Sequence, residues 1–243
     1  VPGVEVQLHS GQTISVGEQR DFVLVFQEPP RAVPVPEEST LAAPSRAVVT
    51  VLVGDIRDYT VLARRSPSPE VQRSVGRVFQ ILTDRVASEG GTVKEFQGDA
   101  LVAFWEGTLA GGQAAAACRT ALDLDALARR LADDRTIWAV PDFPLQIDWA
   151  LASGPVLIDS FGGQRPAGLS MMGEAPVLAF RIEKFACDAT GRILVCPTTR
   201  AMAGPGFSFR DLGLMQAKGF EQPDHVFALE RAGLTPSRQG GVR

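Results

Sequence analysis

Cysteine and histidine are scarce in this sequence, and their scarcity excludes several kinds of site. Cys118, Cys187 and Cys196 are odd in number, far apart and without a CxxC pair, so neither a disulfide framework nor a zinc knuckle is expected. The two histidines, His9 and His225, are too few for a histidine-rich metal site. This cysteine usage favours a reducing compartment, so we expect a cytoplasmic protein. Any chemistry must therefore rest on carboxylates.

Long apolar runs and a strong excess of one charge are also missing. No apolar run approaches the roughly 18–20 residues that a membrane span needs, so we expect no membrane segment. The 24 basic residues are scattered among 28 acidic ones, and we expect no nucleic-acid partner. What is present is 243 residues, 45% of them hydrophobic, which is enough to bury a sizeable core.

The apolar pattern divides the chain into four segments. Residues 1–27 alternate apolar and polar side chains and predict two or three short strands. Residues 28–46 contain five prolines without periodicity, which predicts an extended linker. The longer patterns all fall in residues 47–231, the predicted main domain, and residues 232–243 are predicted to be a polar tail.

The main domain is predicted to mix hairpins with helices. A β-branched run marks a strand buried on both faces, helical spacing of apolar residues follows Pro69, and Gly98-Asp99 joins two apolar strands. Strands are predicted at 48–53, 92–97, 100–105, 145–153, 155–161, 192–196, 207–213 and 223–230, and helices at 69–89, 110–134, 174–188 and after Pro197. This order predicts an α+β fold with a mixed or antiparallel sheet.

Two carboxylates stand out by their position. Asp55 ends the buried strand, and Asp99 lies at the tip of the apolar hairpin. In a compact sheet, the end of one strand and the start of a neighbouring hairpin can lie side by side. Paired carboxylates of this kind suit Mg²⁺ or Mn²⁺. The alternative is that both are ordinary turn residues.

Four sequence blocks occur in one order across residues 48–229. They are VVTVLVGDIRDYTVLARR, GGTVKEFQGDALVAF, SMMGEAPVLAFRIEKFA and LMQAKGFEQPDHVFAL. Together they resemble the class III adenylyl/guanylyl cyclase catalytic domain over about three quarters of the chain. The resemblance implies a ferredoxin-like core that forms a head-to-tail homodimer, with ATP or GTP bound between the protomers. Near the start of the chain, LHSGQTISVGEQRDFVLVF resembles the closing strands of a forkhead-associated domain.

The resemblance also implies a set of site residues. Asp55, Asp99 and the backbone carbonyl of Ile56 match the groups that hold two Mg²⁺ or Mn²⁺ ions on the triphosphate. The loop after the first acid would direct backbone N–H groups at phosphate oxygens, and it consists of Arg57, Asp58, Tyr59 and Thr60. The implied reaction is attack of the ribose 3′-oxygen on the α-phosphorus, which expels pyrophosphate.

Two basic residues match further positions of the family. Arg181 stands where the family has an arginine that stabilises the transition state from the other protomer, and Lys218 stands where a lysine grips the distal phosphates. The alternatives are an ordinary helix-surface arginine and a solvated lysine in a turn.

The resemblance implies that Glu95 and Ser170 stand at the positions that select the base. A carboxylate can accept hydrogen bonds from the guanine edge, so Glu95 favours guanine, or no base recognition at all. The serine hydroxyl of Ser170 can donate or accept and decides little. Lys94, the preceding residue, is expected on the opposite face of the strand.

The sequence departs from the family at two further positions. Val177 replaces an asparagine that orients the transition state, and loss of one such donor typically costs about 10²–10³ in rate. Asp159 stands where the family has a glycine, and nothing in the sequence explains it.

Three hypotheses remain open. The first is metal-dependent purine nucleoside triphosphate binding with weak or lost cyclase activity. The second is an active cyclase that tolerates Val177 and makes cyclic AMP or cyclic GMP. The third is a structural or regulatory module, which the joint presence of Asp55, Asp99, Arg181 and Lys218 argues against.

Overall fold

The computed structural model describes residues 13–16, 22–25, 45–65, 69–107, 112–140, 142–160, 169–217 and 221–232. The chain divides into two units, Val1–Ala42 and Ala43–Arg243. In the first unit, β1 (Thr13–Val16) pairs antiparallel with β2 (Phe22–Val25), as the alternating pattern predicts. The strand predicted around Val4–Leu8 lies outside the described residues.

The second unit contains an eight-stranded sheet. Its strands are β3 (Ser45–Ile56), β4 (Thr92–Gln97), β5 (Ala100–Trp105), β6 (Ile147–Ser160), β7 (Leu169–Gly173), β8 (Ile193–Val195), β9 (Phe207–Met215) and β10 (Asp224–Ala232). The order is β4-β5-β3-β6-β8-β10-β9, with β7 paired to β6. β6 and β8 are parallel and the other pairs are antiparallel, so the predicted α+β fold with a mixed, largely antiparallel sheet is confirmed.

Helices cover both faces of this sheet. They are α1 (Tyr59–Arg65), α2 (Pro69–Ser88), α3 (Gln113–Asp133), α4 (Glu174–Glu183) and α5 (Pro197–Ala203). Leu52 and Ile56 of β3 pack in one core cluster with buried residues of α2 and α3. Val49, Val51 and Val53 of the same strand face the opposite side, where they share a second cluster with residues of α4. The continuous apolar run of β3 is thus explained by burial on both faces.

The predicted break between strands 145–153 and 155–161 is wrong. β6 runs through Ser153, Gly154 and Pro155 without a turn and pairs with β3 along its length. Ser153 is buried and its hydroxyl shares hydrogen bonds with Thr50 (2.8 Å) and Thr199 (2.9 Å). Pairing with a long neighbouring strand outweighs the local turn preference of Gly-Pro.

Several other boundaries differ from the prediction. The sequence pattern did not indicate α1 or β7, and α4 ends at Glu183, five residues before the predicted end. β3 begins at Ser45 and so includes the last two residues of the predicted linker. Within the part of the chain that the structure describes, no helix is both long and apolar enough to cross a membrane.

Candidate functional site

The two predicted acids meet at one end of the central strands. Asp55 is the register partner of Ala100, the first residue of β5, so Asp99 lies directly beside the end of β3. The backbone N–H of Ile56 donates to the carbonyl oxygen of Asp99 at 3.4 Å. The hairpin turn and the strand end therefore bring the carboxylates together, as their positions in the sequence predict.

The surroundings of this pair favour a bound cation. Burial, and then the neighbouring Asp55 carboxylate, raise the pKa of Asp99 to about 6. Oδ1 of Asp55 is buried and has no hydrogen-bond partner among the described residues. A buried carboxylate oxygen without a partner is costly, and a hard divalent cation would satisfy it. The donor set thus fits Mg²⁺ or Mn²⁺.

Side chains alone do not complete a metal site in the described ranges. No group of three or more His, Cys, Asp or Glu side chains there could hold an ion. Two carboxylates therefore need backbone or ligand oxygens as further donors. Ile56, whose carbonyl the resemblance assigns to the ions, lines the same cavity as the two acids.

That cavity has a volume of about 400 Å³. Besides the two acids and Ile56 it is lined by the turn before α1 and the first residues of α1, by one residue of β6, and by the last residue of α4 and residues just after it. These further lining residues are Arg57, Asp58, Tyr59, Thr60, Val61, Asp148, Glu183, Lys184 and Ala186. The structure thus places the whole predicted phosphate loop, Arg57 to Thr60, beside the predicted metal ligands.

Arg57 holds the start of this loop to β6. Its guanidinium donates to both carboxylate oxygens of Asp148, at 2.7 and 2.6 Å, and also to Gln146 (3.1 Å) and Asp188 (3.0 Å). The hydrogen bond to Asp148 raises the pKa of Arg57 above its usual range. Asp148 is also the register partner of Asp55. Sequence reasoning missed Asp148, because only strand pairing brings it to this position.

The end of α4 adds two charged residues that the sequence also did not indicate. Nζ of Lys184 lies 2.9 Å from Oδ2 of Asp55 and 2.7 Å from Oε2 of Glu183. Burial raises the pKa of Glu183 to about 7. Burial alone would lower the pKa of Lys184, but its contacts with Glu183 and Asp55 raise that pKa above its ordinary value. No motif links these residues to Asp55, so the sequence carries no signal for this contact.

Arg181 and Val177 lie elsewhere on α4. The guanidinium of Arg181 forms a two-pronged ion pair with the carboxylate of Asp224 on β10, with both N–O distances at 2.5 Å. Val177 is one turn earlier, and 52% of its surface is exposed. Neither residue lines the cavity, so a single chain does not bring them to Asp55 and Asp99.

Of the remaining predicted residues, Glu95 and Ser170 lie on strands of the sheet. Glu95 lies on β4 and forms an ion pair with Lys94, at a bulge between Val93 and Glu95. The expectation that Lys94 points to the opposite face is wrong, because the extra residue of a bulge breaks the alternation of side chains. The backbone of Ser170 on β7 pairs with that of Asp159 on β6. Lys218 lies outside the described residues.

Comparison with known proteins finds a curated relative that is named an adenylate cyclase. No family model matches the chain. It is 26% identical to "Adenylate cyclase 1" of Rhizobium meliloti over 175 residues, which are 72% of this chain and 26% of that protein. The chain thus spans about a quarter of the length of this relative.

Solved structures of cyclases share the fold. The adenylyl cyclase CyaB from P. aeruginosa has a TM-score of 0.66 at 21% identity, over 78% of this chain and 96% of that one. The guanylyl cyclase Cya2 has a TM-score of 0.68 at 22% identity, over 80% of this chain and 97% of that one. The chain therefore has the fold of class III adenylyl and guanylyl cyclase domains, which confirms the resemblance carried by the four sequence blocks.

Proposed function

We propose that the cyclase-like unit binds a purine nucleoside triphosphate together with divalent cations, and that it cyclises this nucleotide weakly or not at all. The observation that supports binding is that Asp55 and Asp99 line the same cavity as the loop from Arg57 to Thr60. The cyclase fold supports the choice of a nucleotide over other phosphate compounds.

The cations would be two Mg²⁺ or Mn²⁺ ions, held by Asp55, Asp99 and the carbonyl of Ile56. Bound there, they supply charge neutralisation on the phosphates and activation of the attacking oxygen. The buried, unpartnered Oδ1 of Asp55 supports this assignment. The oxygen-only donor set agrees with the preference of these ions.

The protein's own residues position the nucleotide. Backbone N–H groups of Asp58, Tyr59 and Thr60 would donate to phosphate oxygens, while the ion pair of Arg57 with Asp148 keeps this loop against the sheet. Lys218 would bind the distal phosphates, in a site where positioning and charge stabilisation carry the catalysis.

The base would be read by Glu95 and Ser170. The fold relatives include both adenylyl and guanylyl cyclases, so the fold does not choose between ATP and GTP. The carboxylate of Glu95 favours guanine, since it can accept hydrogen bonds from that base.

A second copy of the chain would complete the site in a head-to-tail homodimer. Arg181 lies outside the cavity of its own chain, which supports a role at the site of a partner. Exposed apolar side chains on and before α4, Met172 and Val177, support contact with a second copy.

The weak cyclisation follows from Val177. Valine cannot donate a hydrogen bond to the developing charge, and the loss of one such donor typically costs about 10²–10³ in rate. The alternative function is an active cyclase. Two observations favour it: Arg181 is present, and the Rhizobium meliloti relative is named an adenylate cyclase.

The test is to titrate the protein with ATP or GTP in the presence of Mn²⁺ by calorimetry, and to assay cyclic product in parallel. We expect binding with little turnover, and loss of the metal-dependent binding in Asp55→Ala and Asp99→Ala. Asp123→Ala is the matched control, because it removes an exposed carboxylate of α3 that forms an ion pair with Arg85 of α2. Robust turnover would instead support the active cyclase, and binding that survives both substitutions would contradict the metal assignment.

A further inference from the structure

Lys184 places a positive charge against the carboxylate of Asp55, the proposed metal ligand. Its ammonium nitrogen lies 2.9 Å from Oδ2 of Asp55 and 2.7 Å from Oε2 of Glu183. All three side chains belong to residues that line the 400 Å³ cavity. One oxygen of the Asp55 carboxylate is therefore already neutralised by a cation of the protein itself.

A divalent cation and this ammonium group cannot share Asp55 freely. Like charges a few ångströms apart repel strongly where water is partly excluded, and Asp55 is mostly buried. An ion on Oδ2 of Asp55 must therefore displace Lys184, and an ion on the unpartnered Oδ1 must bind against the repulsion of the ammonium group on the same carboxylate.

The structure also provides a place for the displaced group. The side chain of Lys184 is 63% exposed, so it can turn toward solvent, whereas the Glu183 side chain is buried and stays in place. Glu183 would keep Lys184 near the site after Asp55 is released. Lys184 is one of three lysines in a chain with 24 basic residues, so its amine can be followed individually by chemical labelling.

We propose that Lys184 is a tethered cation that competes with the divalent ion for Asp55 and thereby raises the metal concentration at which the site fills. This inference rests on the proposed function, because it takes Asp55 as a metal ligand. Lys184 acts through Asp55 and is a positioning residue, not a catalytic one.

The first test measures Mn²⁺ affinity of the full chain without nucleotide, by electron paramagnetic resonance of free Mn²⁺. Lys184→Met removes the charge and keeps the length of the side chain, and we expect it to tighten Mn²⁺ binding by roughly threefold to tenfold. Lys184→Arg keeps the charge and should bind Mn²⁺ like the parent. Arg85→Met, which removes a cation from an exposed ion pair with Asp123, is the control for the loss of one positive charge.

The second test follows the amine directly. A small acylating reagent should modify Lys184 faster when Mn²⁺ is added, with Lys94 as the internal reference, measured by mass spectrometry. A merely structural role for Lys184 would lower the melting temperature of Lys184→Met without changing Mn²⁺ affinity or the labelling rate.

The outcomes separate this inference from the proposed function. If the parent binds Mn²⁺ in a way that needs Asp55, and Lys184→Met binds it equally or more weakly, the competition is wrong while the metal site stands. If Lys184→Met binds Mn²⁺ and the parent does not, the competition is supported in its strongest form. If neither protein binds Mn²⁺ without nucleotide, the competition is wrong, whereas the metal site is judged separately by the titration with nucleotide and Mn²⁺.

Discussion

At the scale of single residues, Val177 is the position where a substitution should restore chemistry without disturbing the fold. Its side chain is half exposed on α4, and valine and asparagine have similar helix propensities. Val177→Asn should therefore change the free energy of unfolding by less than about 0.5 kcal/mol.

We predict that Val177→Asn raises cyclic nucleotide formation by up to about 10²–10³-fold, because the amide can stabilise the charge that develops in the transition state. The measurement is product formation with ATP or GTP and Mn²⁺. Met202→Asn, which replaces another exposed apolar residue on α5, serves as the control. Unchanged product formation in a variant that still binds nucleotide would show that Val177 is not the cause of weak cyclisation.

At the scale of secondary-structure elements, the acidic site depends on close contact between β3 and β6. Gly54 is the register partner of Trp149, a fully buried residue of β6. A Cβ atom at Gly54 would lie 2.2 Å from the Trp149 ring. Only glycine lets the strand carry Asp55 past this indole.

We predict that Gly54→Ala destabilises the protein by roughly 1–3 kcal/mol, because the indole or the strand must move to make room. Since Asp55 is the next residue, Mn²⁺ binding should weaken as well. Gly154→Ala is the matched control, because a Cβ there would meet Ala175 at an ordinary 3.5 Å on the same pair of strands. Chemical denaturation measures both variants, and equal stability of the two would contradict this account.

At the scale of the whole molecule, mixing two variants can test whether Arg181 acts at the acidic site of a second chain. Arg181 faces Asp224 and not the cavity, so its proposed role requires a second chain. In a head-to-tail dimer, a chain without Asp55 and a chain without Arg181 can still form one intact site between them.

We predict that Asp55→Ala and Arg181→Gln, each combined with Val177→Asn, are inactive alone. Mixed in equal amounts, they should recover about a quarter of the product formation of the Val177→Asn single variant. The quarter arises because half of the dimers are mixed and each has one of two sites intact. Melting temperatures of both variants check that each is folded. No recovery from folded, exchanging variants would contradict the shared site.

Much of the fold was predictable from local patterns. A continuous β-branched run predicted β3, helical spacing of apolar residues predicted α2, and two apolar strands around Gly98-Asp99 predicted the β4–β5 hairpin. A helix was also predicted at 110–134, where α3 lies. These patterns are local because burial on one or both faces of an element determines which of its residues are apolar. The β6 strand was interrupted in the prediction, because its continuity depends on pairing with β3 and not on its own Gly-Pro stretch. The short elements α1 and β7 have too few residues to show a period.

The sequence by itself determined the cyclase fold and the two acids, because strand ends, hairpin turns and ordered blocks are properties of neighbouring residues. The tertiary structure alone decided what surrounds these acids. Asp148 lies 91 residues after its partner Arg57, and Lys184 lies 129 residues after its partner Asp55. Such contacts depend on strand register and helix packing, which no local spacing records. The scarcity of cysteine and histidine left carboxylates as the candidates for chemistry. In the folded chain, one of these carboxylates, Asp55, is paired with a cation of the protein itself, Lys184.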